Sequence, residues 1–390
     1  MKKILIIIFI LLAIVSCFYD VAFCEEKDIS DYIDESIDKI DTTTLEDKIL
    51  SNLNENVSIK DLIKEIINGE YEGNLNNFIE TITNYIKKDI TSFIPMVISI
   101  LIIVLIYSIL NSMTSSFLNK EINNIISIVC FAAILLVTTT QIYIIFNEAK
   151  SLLNNISTYC DISFPILMNI TILLGGKISS QVYSPFGELI SNSIIKIIID
   201  IVFPLITASI IIQIVSNLSN KIKLNKLSKL FNSISKYILT GLFSLYIIFL
   251  SFQGLTSGVI DTVSIKSAKY AIESYVPIVG GYLSDGYDLV SASLVLIKNS
   301  LGYVIVIYFL KILLFPVIKI ALFSISLKFA SAVIEPLSNN KVSDFLFSIS
   351  KNITILISVL ISVGAMFLIT IMFIILSFNI GVWWEIGYAA

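Results

Sequence analysis

From residue 92 onward the chain is a succession of apolar runs with few charges between them, a pattern that leaves little choice of fold. The runs cover 92–110, 124–146, 162–176, 193–215, 237–260, 289–334 and 352–379. About 20 consecutive apolar residues make a helix that crosses ~30 Å of hydrocarbon, and in lipid a helix satisfies its backbone polar groups internally. The chain therefore reads as all-α, a polytopic transmembrane helical bundle with a short helical extracytoplasmic N-terminal segment. Of its 390 residues 56% are hydrophobic and 14% charged, where soluble domains have about a quarter charged.

The charges divide the chain. Residues 25–91 carry 17 acidic residues and 7 lysines, whereas 92–390 carry 12 and 17. Ahead of both, Lys2 and Lys3 precede an apolar run from Ile4 to Val15, the layout of a signal peptide. Ala22-Phe23-Cys24 suits cleavage after Cys24. Ile14-Val15-Ser16-Cys17 resembles a lipobox, which would instead leave a lipid on Cys17. The expected organisation is a signal peptide over 1–24, an acidic helical extracytoplasmic segment over 25–91 and a multi-pass membrane domain over 92–390.

Within the acidic segment, apolar residues recur every three or four positions: Ile29, Tyr32, Ile33, Ile37 and Ile40, then Leu62, Ile63, Ile66 and Ile67, then Leu75, Phe78, Ile79, Ile82 and Ile86. Ser58 and Asp61 have the spacing of a capping box, and Gly69 suits a C-cap. These stripes suit either a small helical hairpin folding on itself or docking on partner domains.

Topology follows from lysines. Residues 216–236 hold Lys221, Lys223, Lys226, Lys229 and Lys236 with no acidic residue, which places them in the cytoplasm by the positive-inside rule. From an outside start at residue 91, four crossings would return the chain to the outside by residue 216, so an odd number is required. The run 162–176 is the weakest, with Pro165, Asn169 and a closing Gly175-Gly176. Residues 162–190 are therefore expected to form a re-entrant or broken-helix element, with Pro165, Gly175 and Gly176 at the break. A matching interruption is expected at Pro277, Gly280 and Gly281. Residues 289–334 read as one crossing with an amphipathic flank or as two crossings; Lys341 and Lys351 favour 335–351 inside and so one crossing, with Trp383-Trp384 anchoring the outer interface.

Intramembrane charges mark functional or inter-helix contacts. Lys196 and Asp200 lie four apart in one apolar helix and form the candidate intramembrane polar pair. Lys298, Lys311 and Lys319 read as lysines reaching toward helix ends. The chain has no histidine, which removes His-ligated zinc and Ser-His-Asp or Cys-His catalysis. Cysteines 17, 24, 130 and 160 suggest neither a disulfide framework nor a metal set. The expectation is no enzyme: no catalytic residue, cofactor, metal or nucleic-acid partner.

Several stretches in order carry a family likeness. They are Ala268-Lys269-Tyr270-Ala271, the run from Val276-Pro277 through Gly280-Gly281 to Ser284-Asp285, Leu296-Ile297-Lys298-Asn299 and Gly302. Upstream stand Phe164-Pro165, Gly175-Gly176, Ser184-Pro185, Phe203-Pro204, the basic stretch 221–236, Gln253-Gly254 and Asp261; downstream stand Pro316 and residues 332–336. This ordered run, over residues 90–380, resembles the stage III sporulation protein AE family. The resemblance implies a permease-like integral subunit of the mother-cell channel complex. It would sit in the mother-cell membrane surrounding the forespore and support late forespore gene expression. Its implied partners are other stage III sporulation subunits and a forespore-side protein across the intermembrane space. The alternatives are a self-sufficient secondary transporter, for which paired helix breaks would be the signature, and a non-conducting membrane scaffold for the complex.

Overall fold

The computed structural model describes residues 58–71, 75–117, 120–218, 224–275, 280–336 and 340–376, with Ile37, Thr42, Thr43 and Glu46. The leader, Pro277 and Trp383-Trp384 lie outside them. Residues 1–40 and 41–390 form two compact units; the helices all belong to the second. They are α1 (Ile59–Ile67), α2 (Leu75–Phe117), α3 (Lys120–Leu173), α4 (177–218), α5 (Asn225–Tyr275), α6 (Gly280–Ile334) and α7 (Asn340–Leu376). No strand occurs among the described residues. Helices α2 to α7 are each long and apolar enough to cross a bilayer, so the protein is an all-α, polytopic membrane bundle.

The short helix α1 begins as the sequence suggests, but its cap is different. Ser58 has extended N-cap geometry without a side-chain cap bond. The Ile59 N–H instead donates to the Glu46 carboxylate at 2.8 Å. Gly69, at φ 70°, closes the helix with the 6→1 bond of a Schellman turn, Glu70 N–H to Glu65 C=O at 2.9 Å. Ile59 and Ile63 are buried, and α1 packs against α6, where Tyr71 meets Tyr303 edge-on at 6.1 Å. This part of the acidic segment thus docks on the membrane domain. The third apolar stripe runs without a break into the first crossing, because α2 passes through the 91/92 boundary.

The crossing count has a different origin from the one expected. Runs 124–146 and 162–176 belong to the single 54-residue helix α3, with Pro165 in its interior. Pro165 is therefore not at a helix break, and no re-entrant element occupies 162–173. The chain turns only at 174–176, where Gly175 takes φ 83°, and α4 returns. The polar stretch between the two runs hides a buried stripe at helical spacing: Ala149, Leu152, Leu153, Ile156, Tyr159, Cys160, Phe164 and Leu167. A transmembrane helix tolerates an interior proline when its neighbours and local distortion re-satisfy the backbone. With runs two and three merged, three candidate crossings, α2, α3 and α4, precede the basic stretch 221–236, and the odd number needs no special device. Residues 289–334 likewise form part of one helix, α6.

Helix α4 is irregular. Lys177–Glu188 is α-helical, Leu189–Ile194 and Ile198–Val202 are π-helical around Ile195–Ile197, and Phe203–Leu218 is α-helical again. Pro185 lies in the first part and removes one amide donor. The Ser191 carbonyl, in the first π stretch, accepts the Ser157 hydroxyl of α3 at 3.3 Å.

Helix α7 is the centre of the bundle. Two-thirds of its apolar window (67%) is buried, against 22 to 44% for the other five. Phe367 stacks on Phe309 of α6 at 4.0 Å and meets Tyr159 and Phe164 of α3 at 5.5 and 5.7 Å. Small residues permit the close approach of α6 and α7. A Cβ at Gly302 would lie 2.5 Å from Ile375 Cδ1, and one at Gly364 would lie 2.6 Å from Leu313 Cδ2. Leu136, Leu245 and Phe252 are exposed, suiting contact with lipid.

Candidate functional site

At 1.5 Å per residue the 54 residues of α3 measure about 80 Å, far beyond the ~30 Å of hydrocarbon. Buried polar groups therefore carry most of the information about what the bundle does. They gather in three places.

The first is a charge cluster between α2, α3 and α6. Lys319 of α6 reaches Glu148 of α3, Nζ to Oε2, at 2.5 Å, with both side chains about a quarter exposed. Asp89 of α2 is 7% exposed, and its charge is felt by both Lys319 and Glu148. Its Oδ2 is buried without a hydrogen-bond partner. One turn earlier Tyr85 packs on Phe315 of α6 at 4.8 Å. Two carboxylates thus share one ammonium, and an uncompensated buried charge costs several kcal/mol.

The second lies where α3 turns into α4. Asp261 of α5, 2% exposed, accepts the Ile178 N–H on Oδ1 at 3.1 Å and the Ser179 N–H on Oδ2 at 2.7 Å. A carboxylate at a helix N-terminus satisfies orphan amides and complements the helix dipole. Gly175 is itself exposed, but the space for a side chain there is limited. A Cβ there would lie 3.2 Å from Ile265 and 3.4 Å from the Tyr287 hydroxyl. At the same end Lys298 of α6, fully buried, donates to the Ile375 carbonyl at 3.0 Å and the Ile374 carbonyl at 3.4 Å, capping the last turn of α7.

The third is a polar seam toward the opposite helix ends. Asn352 of α7 accepts from Asn232 of α5 at 2.6 Å and donates to Gln213 of α4 at 3.1 Å. Ser209 and Ser228 meet at 2.7 Å, and Ser331 and Ser343 at 3.0 Å. Such contacts hold transmembrane helices in register where lipid offers no hydrophobic drive.

The residues singled out from sequence fall differently. Lys196 and Asp200 are both exposed on α4, and among the described contacts no ion pair joins them. Lys196 lies in the short α turn Ile195–Ile197 and Asp200 in the π stretch that follows it. Gly175 and Gly176 form the α3–α4 turn, Pro165 lies inside α3, and Gly280 and Gly281 open α6. The lysines read as reaching for helix ends are engaged: Lys298 as a cap, Lys319 in an ion pair, and Lys311 over the Tyr308 ring at 4.8 Å. Asp89 and Glu148 were not distinguishable in sequence from solvated charges, since their partners are 171 and more positions away.

A family model, Stage III sporulation protein AE, matches residues 57–377. The chain belongs to the stage III sporulation protein AE family. A curated relative, "Stage III sporulation protein AE" of Bacillus subtilis (strain 168), is 25% identical over 252 residues, 65% of this chain and 63% of that protein. The match thus spans under two-thirds of the relative's length. No solved structure matches. Positions carrying the family likeness (Gly175, Asp261, Lys298 and Gly302) make the capping and close-packing contacts described above. The chain is a multi-pass membrane protein of this family.

Proposed function

We propose that this member of the family is the integral, permease-like subunit of a channel or transport complex between mother cell and forespore. In this reading it lies in the mother-cell membrane with its N-terminal segment outside the cytoplasm, and it works with other stage III subunits and a forespore-side partner. One observation carries the reading: the bundle is longer than a bilayer, and the excess is on one side. The apolar part of α3 starts within a few residues of Lys120, whereas its polar stretch follows residue 146. α2, α4 and α5 likewise hold their more polar ends, 75–91, 177–192 and 253–275, away from the basic turns. With the lysine-rich stretch 221–236, most of it the first turns of α5, on the cytoplasmic side, these ends project outward, as a subunit that meets partners across a narrow space would require. The transporter alternative loses support, because α3 runs unbroken through Pro165.

The test is accessibility labelling in sporulating cells, in a background with the native cysteines replaced. Lys226→Cys should resist an impermeant thiol reagent until the membrane is opened, and Ser274→Cys should react in intact cells. The reverse pattern overturns the orientation. Solute flux in proteoliposomes should appear only when partner subunits are co-reconstituted. Flux by the chain alone would favour a self-sufficient transporter, and none with all partners present would favour a scaffold.

A further inference from the structure

We propose that Asp89, Glu148 and Lys319 form a binding site for one monovalent cation, a proton or an alkali ion such as sodium, between α2, α3 and α6. Three observations converge on it. Lys319 is committed to Glu148 at 2.5 Å, so the second carboxylate has no ammonium of its own. Asp89 is more than nine-tenths buried, and its Oδ2 meets no donor. The nearby donors on its own helix are turned elsewhere: the Ser92 hydroxyl donates to the Asp89 backbone carbonyl and the Thr91 hydroxyl to that of Lys88, each at 2.7 Å.

The charged and titratable groups facing Asp89 are Lys88 on its own helix, Glu148 on α3 and Lys319 on α6. Tyr85 stands within the field of both carboxylates. Lys88 is exposed, and no ion pair joins it to Asp89. Leaving aside the exposed Lys88, Asp89, Glu148 and Lys319 carry one negative charge in excess, and one Asp89 carboxylate oxygen is buried without a hydrogen-bond partner. A charge buried between helices without a partner persists when something neutralises it. Occupancy would bind α2 to α3 and α6, and loss of the cation would loosen the same joint. The inference does not depend on the sporulation role, because it concerns the isolated protein.

The experiment follows thermal unfolding of the full-length chain in nanodiscs while sodium chloride replaces choline chloride at fixed ionic strength, and separately while pH is lowered through the neutral range. A ligand that binds only the folded state adds stability logarithmically with its concentration. The wild type should gain stability steadily with each tenfold rise in sodium or in proton activity. A response to sodium identifies an alkali-ion site, and a response to pH alone identifies a proton site. Asp89→Asn, which removes the excess charge, should flatten the response, and Lys319→Met, which adds to it, should steepen it. Should Asp89→Asn fail to assemble, Glu148→Gln decides: it frees Lys319 for Asp89 and should abolish the response. A wild type indifferent to both cations overturns the proposal, as does an Asp89→Asn or Glu148→Gln protein with the wild-type response.

Discussion

Replacing Asp261 by alanine tests how the α3–α4 end of the bundle is held. The carboxylate takes the amides of Ile178 and Ser179 at 3.1 and 2.7 Å in a setting that leaves it 2% exposed. A hydrogen bond to a charged group contributes about 1.5–3 kcal/mol, and loss of a helix N-cap costs about 0.5–2 kcal/mol. The two bonds share one cap, so the values overlap. Alanine would leave the buried Ser179 amide and the part-buried Ile178 amide without this partner, and the expected loss is about 2–4 kcal/mol. Asparagine keeps one acceptor oxygen but turns an amide group toward the second N–H, so it should lose about 1–2 kcal/mol. Unfolding of the full-length protein in bilayer nanodiscs measures the totals. Hydrogen exchange at Ile178 and Ser179 supplies the local readout, since both amides should lose protection in the alanine variant before the α6–α7 core does. The capping argument fails if Asp261→Ala unfolds within about 0.5 kcal/mol of the wild type while both amides remain protected.

Other substitutions probe the remaining contacts. Gly187→Val should destabilise by about 1–3 kcal/mol, because a Cβ there would sit 2.9 Å from Cγ of Phe164, near the base of a ring that cannot swing aside; Phe164→Leu should recover part of the loss in the same unfolding assay. Asn352→Leu strips partners from Asn232 and Gln213 together and should cost about 0.6–1.7 kcal/mol, with non-additivity against Gln213→Leu in a double-mutant cycle. Lys196→Ala and Asp200→Ala should add to within about 0.3 kcal/mol, since the two exposed side chains are not joined; a larger coupling energy would restore the ion pair that the spacing suggests.

The basic stretch 221–236 required an odd number of crossings before it, and the structure has three. Locating the redundant run needed the fold, because the polar residues of 147–161 look like a loop in a hydropathy reading. The stripe from Ala149 to Leu167 that keeps them helical is visible in the sequence only to a search for period rather than for apolarity. Gly69 and the Gly175-Gly176 turn were legible because a left-handed φ favours glycine. The cap on α1 was not, because Glu46 is 13 positions from the amide it satisfies.

The sequence by itself determined the solvent. Continuous apolar runs cannot be hydrated, and lipid admits only self-satisfied backbone, so an all-α membrane bundle followed, and the lysine distribution supplied its expected orientation. Tertiary structure alone decided which charges matter. Lys196 and Asp200, four apart, point to the outside without pairing, whereas Lys319 finds Glu148 from 171 positions away and leaves Asp89 unmatched beside them. Local spacing fixes which residues share a helix face, but a charge buried between helices is neutralised by whatever neighbouring helices bring, and helix packing sets that.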